Sequence, residues 1–142
     1  MAATVKFHDV HVGDEVFSTP KVVKREDVKA YADASGDQNP LHQDDDFARS
    51  VGFPGIIAHG MFSMAHLVTS LKDWVGDPAA LRSIAVQFRA VVYMDETLVA
   101  RGRISAKDEA TRRVTLDVWA ELERDGRTVQ AIKNSTAVVE LP

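Results

Sequence analysis

Nine apolar residues crowd the stretch 61–75: Met61, Phe62, Met64, Ala65, Leu67, Val68, Leu71, Trp74 and Val75. At helical spacing they cover most of a cylinder's circumference, and a helix that is apolar nearly all round is buried. Gly76-Asp77-Pro78 stops it. The rest of the chain must therefore wrap this helix. The C-terminal half is β-like: residues 84–93, 98–107, 114–122 and 128–139 alternate apolar and polar side chains or are rich in Val, Ile and Thr. Asp125-Gly126 reads as a hairpin turn between the last two. One long buried helix leading into four long strands predicts an α+β layer.

Upstream, Gly13-Asp14 reads as a turn leading into a short strand. Residues 25–34 carry Val28, Tyr31 and Ala32 at helical spacing, with Glu26 and Asp27 in the first turn and Gly36 at the end. Residues 44–49 read as a short helical turn and residues 52–55 as a loop. The length, 142 residues without repeats or linker, predicts one domain over 1–142. No window approaches the roughly 18 apolar residues of a membrane span. The first eight residues lack an apolar core for a secretory signal, so a cytoplasmic protein is expected. The absence of cysteine excludes disulfides, thiolate catalysis and Cys-type zinc sites. A net charge of −4 offers no basic field for nucleic acid.

The chemistry concentrates in Ser35-Gly36-Asp37-Gln38-Asn39-Pro40-Leu41-His42 and in His59-Gly60-Met61. Asp37 and His42 sit five residues apart on a stiff turn, where a carboxylate and an imidazole can together move a proton. Gly60, at the start of the apolar segment, can turn a helix N-terminal N–H toward a developing oxyanion. The combination points to an enzyme acting next to a carbonyl. Taken singly, Asp37 is an ordinary turn residue and His42 a satisfied polar one. Asn39 either holds the loop or hydrogen-bonds Asp37 or His42. Ser63 either caps the helix or donates to substrate, and His59 meets either the substrate or only the loop. His42, Asp44, Asp45, Asp46, His59 and His66 invite a metal reading, but no His-x-x-x-His or His-Glu-x-x-His spacing supports it, so no metal is expected. Asp44 to Asp46 reads as a solvated run at a helix start, and His8 and His11 as surface residues.

Ser-Gly-Asp-x-Asn-Pro-Leu-His, together with the later His-Gly-Met, resembles the MaoC-like dehydratases, the (R)-specific enoyl-thioester hydratases with a hot-dog fold. The stretches 68–78 and 86–92 look most like the branch holding the catalytic subunit of the (3R)-hydroxyacyl-carrier-protein dehydratase of mycolic-acid synthesis. The resemblance implies a hot-dog domain, its sheet wrapped around the central helix, and a dimer, with itself or with a different hot-dog chain. It implies interconversion of trans-2-enoyl and (3R)-hydroxyacyl thioesters by syn addition or loss of water, with Asp37 and His42 on one face of the substrate and Gly60 as oxyanion donor. No cofactor is implied beyond the pantetheine carrying the substrate, as coenzyme A or carrier protein. Arg82, Arg89, Arg101, Arg103, Arg112 and Arg113 are candidates for its phosphates, and Met61, Phe62, Met64, Leu67 and Trp74 for an acyl tunnel or plain core. Two other functions compete. One is a hot-dog thioesterase, for which the helix lacks an acid before Asp73. The other is a non-catalytic acyl-binding subunit, which would be expected to lack Asp37 or His42.

Overall fold

A computed structural model describes residues 5–142, and the first four residues, where the signal reading begins, lie outside the described ones. Five strands, β1 (Glu15–Val22), β2 (Leu81–Phe88), β3 (Thr97–Asp108), β4 (Arg113–Arg124) and β5 (Arg127–Glu140), form one antiparallel sheet in the order β1-β3-β4-β5-β2. Among the described residues three α-helices accompany it: α1 (Arg25–Ser35), α2 (Asp45–Ser50) and α3 (Gly60–Val75). The α3 helix packs against all five strands. This is the α+β arrangement expected from the sequence. Among the described residues, no helix is long and apolar enough to cross a membrane.

Each element ends where its sequence dictates. Gly36 (φ 81°) closes α1, its N–H donating to the Ala32 carbonyl, and Gly76 (φ 89°) closes α3 onto Lys72 in the same way. Asp125 (φ 54°) and Gly126 (φ 74°) both take positive φ, as a tight β4–β5 turn with matching twist requires. The β4 strand buries alternate residues, with Val114, Leu116, Val118, Ala120 and Leu122 facing the core.

Two expectations need correction. The α3 helix is not buried all round. Leu67, Leu71 and Val75 are almost wholly enclosed, but Met61, Ala65 and Thr69 form an exposed stripe, because one sheet covers one side of a helix. The β2 strand begins three residues earlier than predicted and ends at Phe88. Beyond it the Arg89 and Ala90 N–H groups both turn to the Ala131 carbonyl, and Val91-Val92-Tyr93 run on as a loop.

That loop is clamped to β4. The Glu96 carboxylate accepts two hydrogen bonds from Arg124 (2.6 and 2.8 Å) and one from the Tyr93 N–H (2.7 Å). Arg124 also donates to the Val91 carbonyl and lies 4.2 Å over the Tyr93 ring. Burial works to raise the Glu96 pKa, but the Arg124 hydrogen bonds, the Tyr93 amide and the Arg124 charge together hold it below the ordinary value. Glu96→Gln is expected to cost about 2–3 kcal/mol at neutral pH, since it strands a partly buried guanidinium. A carboxylate whose folded pKa is lowered stabilises fully above its unfolded pKa, about 4.3, and loses that contribution as pH falls through the folded value. Urea unfolding should therefore separate the two proteins at pH 7 and bring them together in acid. Equal stability at pH 7 would refute the clamp.

Candidate active site

The motif residues converge at the N-terminus of α3. After Gly36 the chain makes a run of side-chain-closed turns. Ser35 Oγ accepts from the Asp37 N–H, Asp37 Oδ1 from the Asn39 N–H (3.2 Å), and Asn39 Oδ1 from the Leu41 N–H (3.0 Å). Asn39 thus caps the short 3₁₀ turn Pro40–His42, with Pro40 at its first position. Its side chain holds the loop and bonds neither Asp37 nor His42.

His42 Nδ1 lies 2.7 Å from the Ile57 carbonyl oxygen. A carbonyl only accepts, so Nδ1 carries the hydrogen and Nε2 of the neutral ring keeps a free lone pair. His59 is fixed by the same logic: Nε2 donates to the Asp37 backbone carbonyl at 3.1 Å. The residue is 2% exposed, and its Nδ1 is buried with no hydrogen-bond partner among the described residues. The His42 and His59 rings stack at 3.8 Å and 26°, and Tyr31 meets the back of His59 edge-on at 4.9 Å. His59 therefore ties the Asp37 loop and backs the His42 ring, which is the loop role of the two the sequence left open.

Gly60 is the first residue of α3, where helical N–H groups have no intrahelical acceptor. His59 occupies the capping position without a side-chain cap; its carbonyl accepts from the Phe62 and Ser63 N–H groups (3.1 and 3.3 Å), which leaves the Gly60 and Met61 N–H groups without an acceptor among the described residues. A Cβ on Gly60 would stand 3.2 Å from the Phe88 ring, so glycine allows the strand end to close over the helix start. Ser63 is not the helix cap. It is the fourth helical residue, buried, and lines a cleft of about 400 Å³ with His42, Gly60 and Phe88.

The cleft's apolar walls are Ile57, Phe88, Val91 and Val92. Of the residues proposed for an acyl tunnel, none lines it. Leu67 is core, Trp74 packs on Phe17, Phe62 meets Tyr31, and Met61 is exposed. Among the candidate arginines, Arg82 and Arg113 pair with Glu140 and Arg101 with Glu15 and Glu121, while Arg103 and Arg112 lie over Trp119 and Phe7. Only Arg89 of the six reaches the cleft.

Asp37, His42 and His59 each present a donor atom within 4.8 Å of the others. The remaining members of the metal set lie apart from them. Asp44 caps α2, Asp46 pairs with Arg49, and Asp45 accepts from the Ile56 N–H and pairs with Arg25. The Ile56 amide is the main reason the Asp45 pKa is lowered, so Asp45 is a latch on the 52–56 loop and not merely solvated. His66 donates to the Thr19 carbonyl, and burial lowers its pKa.

Tyr31 and the cleft wall were missed as site features. Tyr31 was legible only as one apolar position of α1. The Ile57 carbonyl that orients His42 is backbone, which no residue pattern reports.

The start of α3 and the oriented His42 imidazole line one cleft, and the Asp37 carboxylate, outside that lining, presents an oxygen within 4.8 Å of ring nitrogens of His42 and His59, a set of groups able to exchange protons beside a polarised carbonyl. The sequence matches the MaoC like domain over residues 7–124, and the chain belongs to that family. It is 29% identical to the (R)-specific enoyl-CoA hydratase of Rhodospirillum rubrum, covering 84% of this chain and 86% of that one. It is 38% identical to the mitochondrial 3-hydroxyacyl-[acyl-carrier-protein] dehydratase of Arabidopsis thaliana over 69% of this chain and 51% of the other. It is 40% identical to the peroxisomal enoyl-CoA hydratase 2 of the same plant, over 46% of this chain. The chain thus spans only about half of the second relative and 22% of the third. Among solved structures, a MaoC-like dehydratase superposes with a TM-score of 0.87 at 31% identity, over 96% of this chain and 42% of that one. The (R)-hydratase from A. caviae superposes at 0.83 and 25%, over 94% and 98%. These establish the hot-dog fold.

Proposed function

We propose that this chain is an (R)-specific hydratase/dehydratase interconverting trans-2-enoyl and (3R)-hydroxyacyl thioesters. The observation carrying this reading is that Asp37, His42 and the helix-capping His59 bring polar atoms within 4.8 Å of one another at the start of α3, with His42 Nε2 left free by the Ile57 bond and His42 sharing a cleft with Gly60. In hydration, a water held by Asp37 and His42 loses a proton to that pair as its oxygen bonds C3. The electron pair of the double bond moves toward the thioester oxygen, where the Gly60 N–H stabilises the enolate. The pair then returns a proton to C2 on the same face. Water is added, the protein ends as it began, and dehydration is the reverse. A preorganised donor of the Gly60 kind is worth about 3 kcal/mol in such steps.

No metal or redox cofactor enters this reading. Two of the four imidazole nitrogens at the site are committed to backbone carbonyls, and the chemistry needs only proton transfer. The whole chain acts as one hot-dog unit, and a cytoplasmic setting accords with its lack of cysteine. A second hot-dog chain, identical or different, completes the rim. Exposed Met61 and Phe88 beside the cleft, and β2 as an edge strand, favour such a covering.

The test is incubation of purified protein with short- and long-chain trans-2-enoyl-CoA. Loss of the conjugated enoyl absorbance with formation of the (3R)-hydroxy product is expected. Release of free thiol instead would establish the thioesterase. Binding without turnover at every chain length would point to a missing partner chain, a strict carrier-protein substrate or the non-catalytic acyl-binding subunit.

A further inference from the structure

Beside the catalytic cleft lies a second hollow of about 810 Å³, whose lining includes Arg89, Ala90, Thr128, Gln130, Lys133 and Asn134. Arg89 and Ala90 belong to both hollows, so the two are continuous at the end of β2. No carboxylate lines the second hollow, although the chain carries 21 Asp and Glu against 17 Lys and Arg. Neither Arg89 nor Lys133 has an ion-pair partner among the described residues, and the Arg89 guanidinium bonds only the neutral Gln87 amide oxygen (2.6 Å).

The backbone builds this bay. Asn134 sits at φ 51°, and the register of β5 slips by one residue there against both of its neighbours. Val118 faces Ser135 but Ala120 faces Ile132, and Ala85 faces Thr136 but Gln87 faces Lys133. A bulge of this kind re-aims side chains at a sheet edge. Here it places Lys133 opposite Gln87, two residues before Arg89. Phe88, between them, is the residue that closes on Gly60.

We propose that this bay binds the phosphate of the pantetheine arm, with Arg89 and Lys133 as its anion-binding residues. The inference rests on the thioester reading above. A thioester carbonyl at Gly60 must lead its pantetheine out of the cleft, and Arg89 stands where the cleft opens into a hollow with two cations and no carboxylate. A guanidinium supplies a forked donor and an ammonium a point charge, the pairing that phosphate oxygens take. The same phosphate is present in coenzyme A and in the prosthetic arm of a carrier protein.

The test compares wild type with Lys133→Gln and Arg89→Gln on one enoyl group carried by coenzyme A, by 4′-phosphopantetheine and by phosphate-free pantetheine. The ratio of kcat/KM for phosphate-bearing over phosphate-free thioester should fall about tenfold in each variant, the loss of one charge-assisted hydrogen bond. A fall seen with phosphopantetheine assigns the bay to the shared phosphate, and a fall confined to coenzyme A assigns it to the nucleotide phosphates. An unchanged ratio, or an equal loss on all three carriers, overturns the proposal. Calorimetric titration with coenzyme A alone reads the bay without turnover. If wild type binds it and both variants bind about tenfold more weakly, the bay stands even where hydration fails, so failure of the catalytic reading remains distinguishable. Binding that does not change in the variants overturns the bay independently.

Discussion

Asp37→Asn should lower kcat for enoyl-thioester hydration by about 10²–10⁴-fold, the usual contribution of a positioned acid/base group, while leaving the fold intact. The side chain is suited to this test. Asp37 is exposed, and its carboxylate makes one hydrogen bond, from the Asn39 N–H to Oδ1. Asparagine keeps that oxygen and so keeps the turn. What it removes is the negative charge and the capacity to take a proton. His42→Asn is the matching change. An asparagine amide nitrogen can replace Nδ1 as donor to the Ile57 carbonyl, whereas nothing replaces Nε2. Each single variant should lose nearly all activity, and the double variant should be little worse than either, because groups acting as a unit are non-additive. Initial rates with a trans-2-enoyl thioester, beside melting curves, decide the matter. Wild-type turnover in either variant would remove Asp37 and His42 from the chemistry. Loss of activity together with a lowered melting temperature would mean that the turn, and not the proton transfer, had been broken.

The parts legible in the sequence were those set by local chemistry. Gly76-Asp-Pro stopped α3, Asp125-Gly126 made the hairpin, and period-two burial drew β3, β4 and β5 to within two residues of their ends. Asp37, His42 and Gly60 could be paired because turn residues and a helix start fix their neighbourhoods. What stayed hidden depends on long-range partners. The end of β2 is invisible in Val91-Val-Tyr, which continues the strand composition; it is set by Ala131 and by Arg124 from β5 and β4. The role of His59 depends on a carbonyl 22 residues away. The cationic bay needs a bulge at Asn134, and an asparagine inside a β-like run does not announce a positive φ.

The overreading of α3 leads to the second large expected effect. Leu67→Ala should destabilise the protein by about 3 kcal/mol, within the 2–5 kcal/mol range for deleting a buried leucine side chain. Leu67 is fully enclosed within the core cluster, on a helix that touches every strand of the sheet. Truncation there forfeits the burial of the lost methylenes and leaves a void that five hydrogen-bonded strands cannot easily collapse around. For a domain of this size the melting temperature should drop by roughly 10 °C. Met61→Ala on the same helix provides the contrast. Met61 is 52% exposed, so the single chain should lose no more than about 0.5 kcal/mol. Chemical denaturation of both variants separates two pictures of the helix. A large loss at Leu67 with a small one at Met61 fits a helix covered on one side. Comparable losses at both, lessening on dilution, would mean that a second chain covers the exposed stripe. Indifference at Leu67 would be incompatible with α3 as the centre of the core.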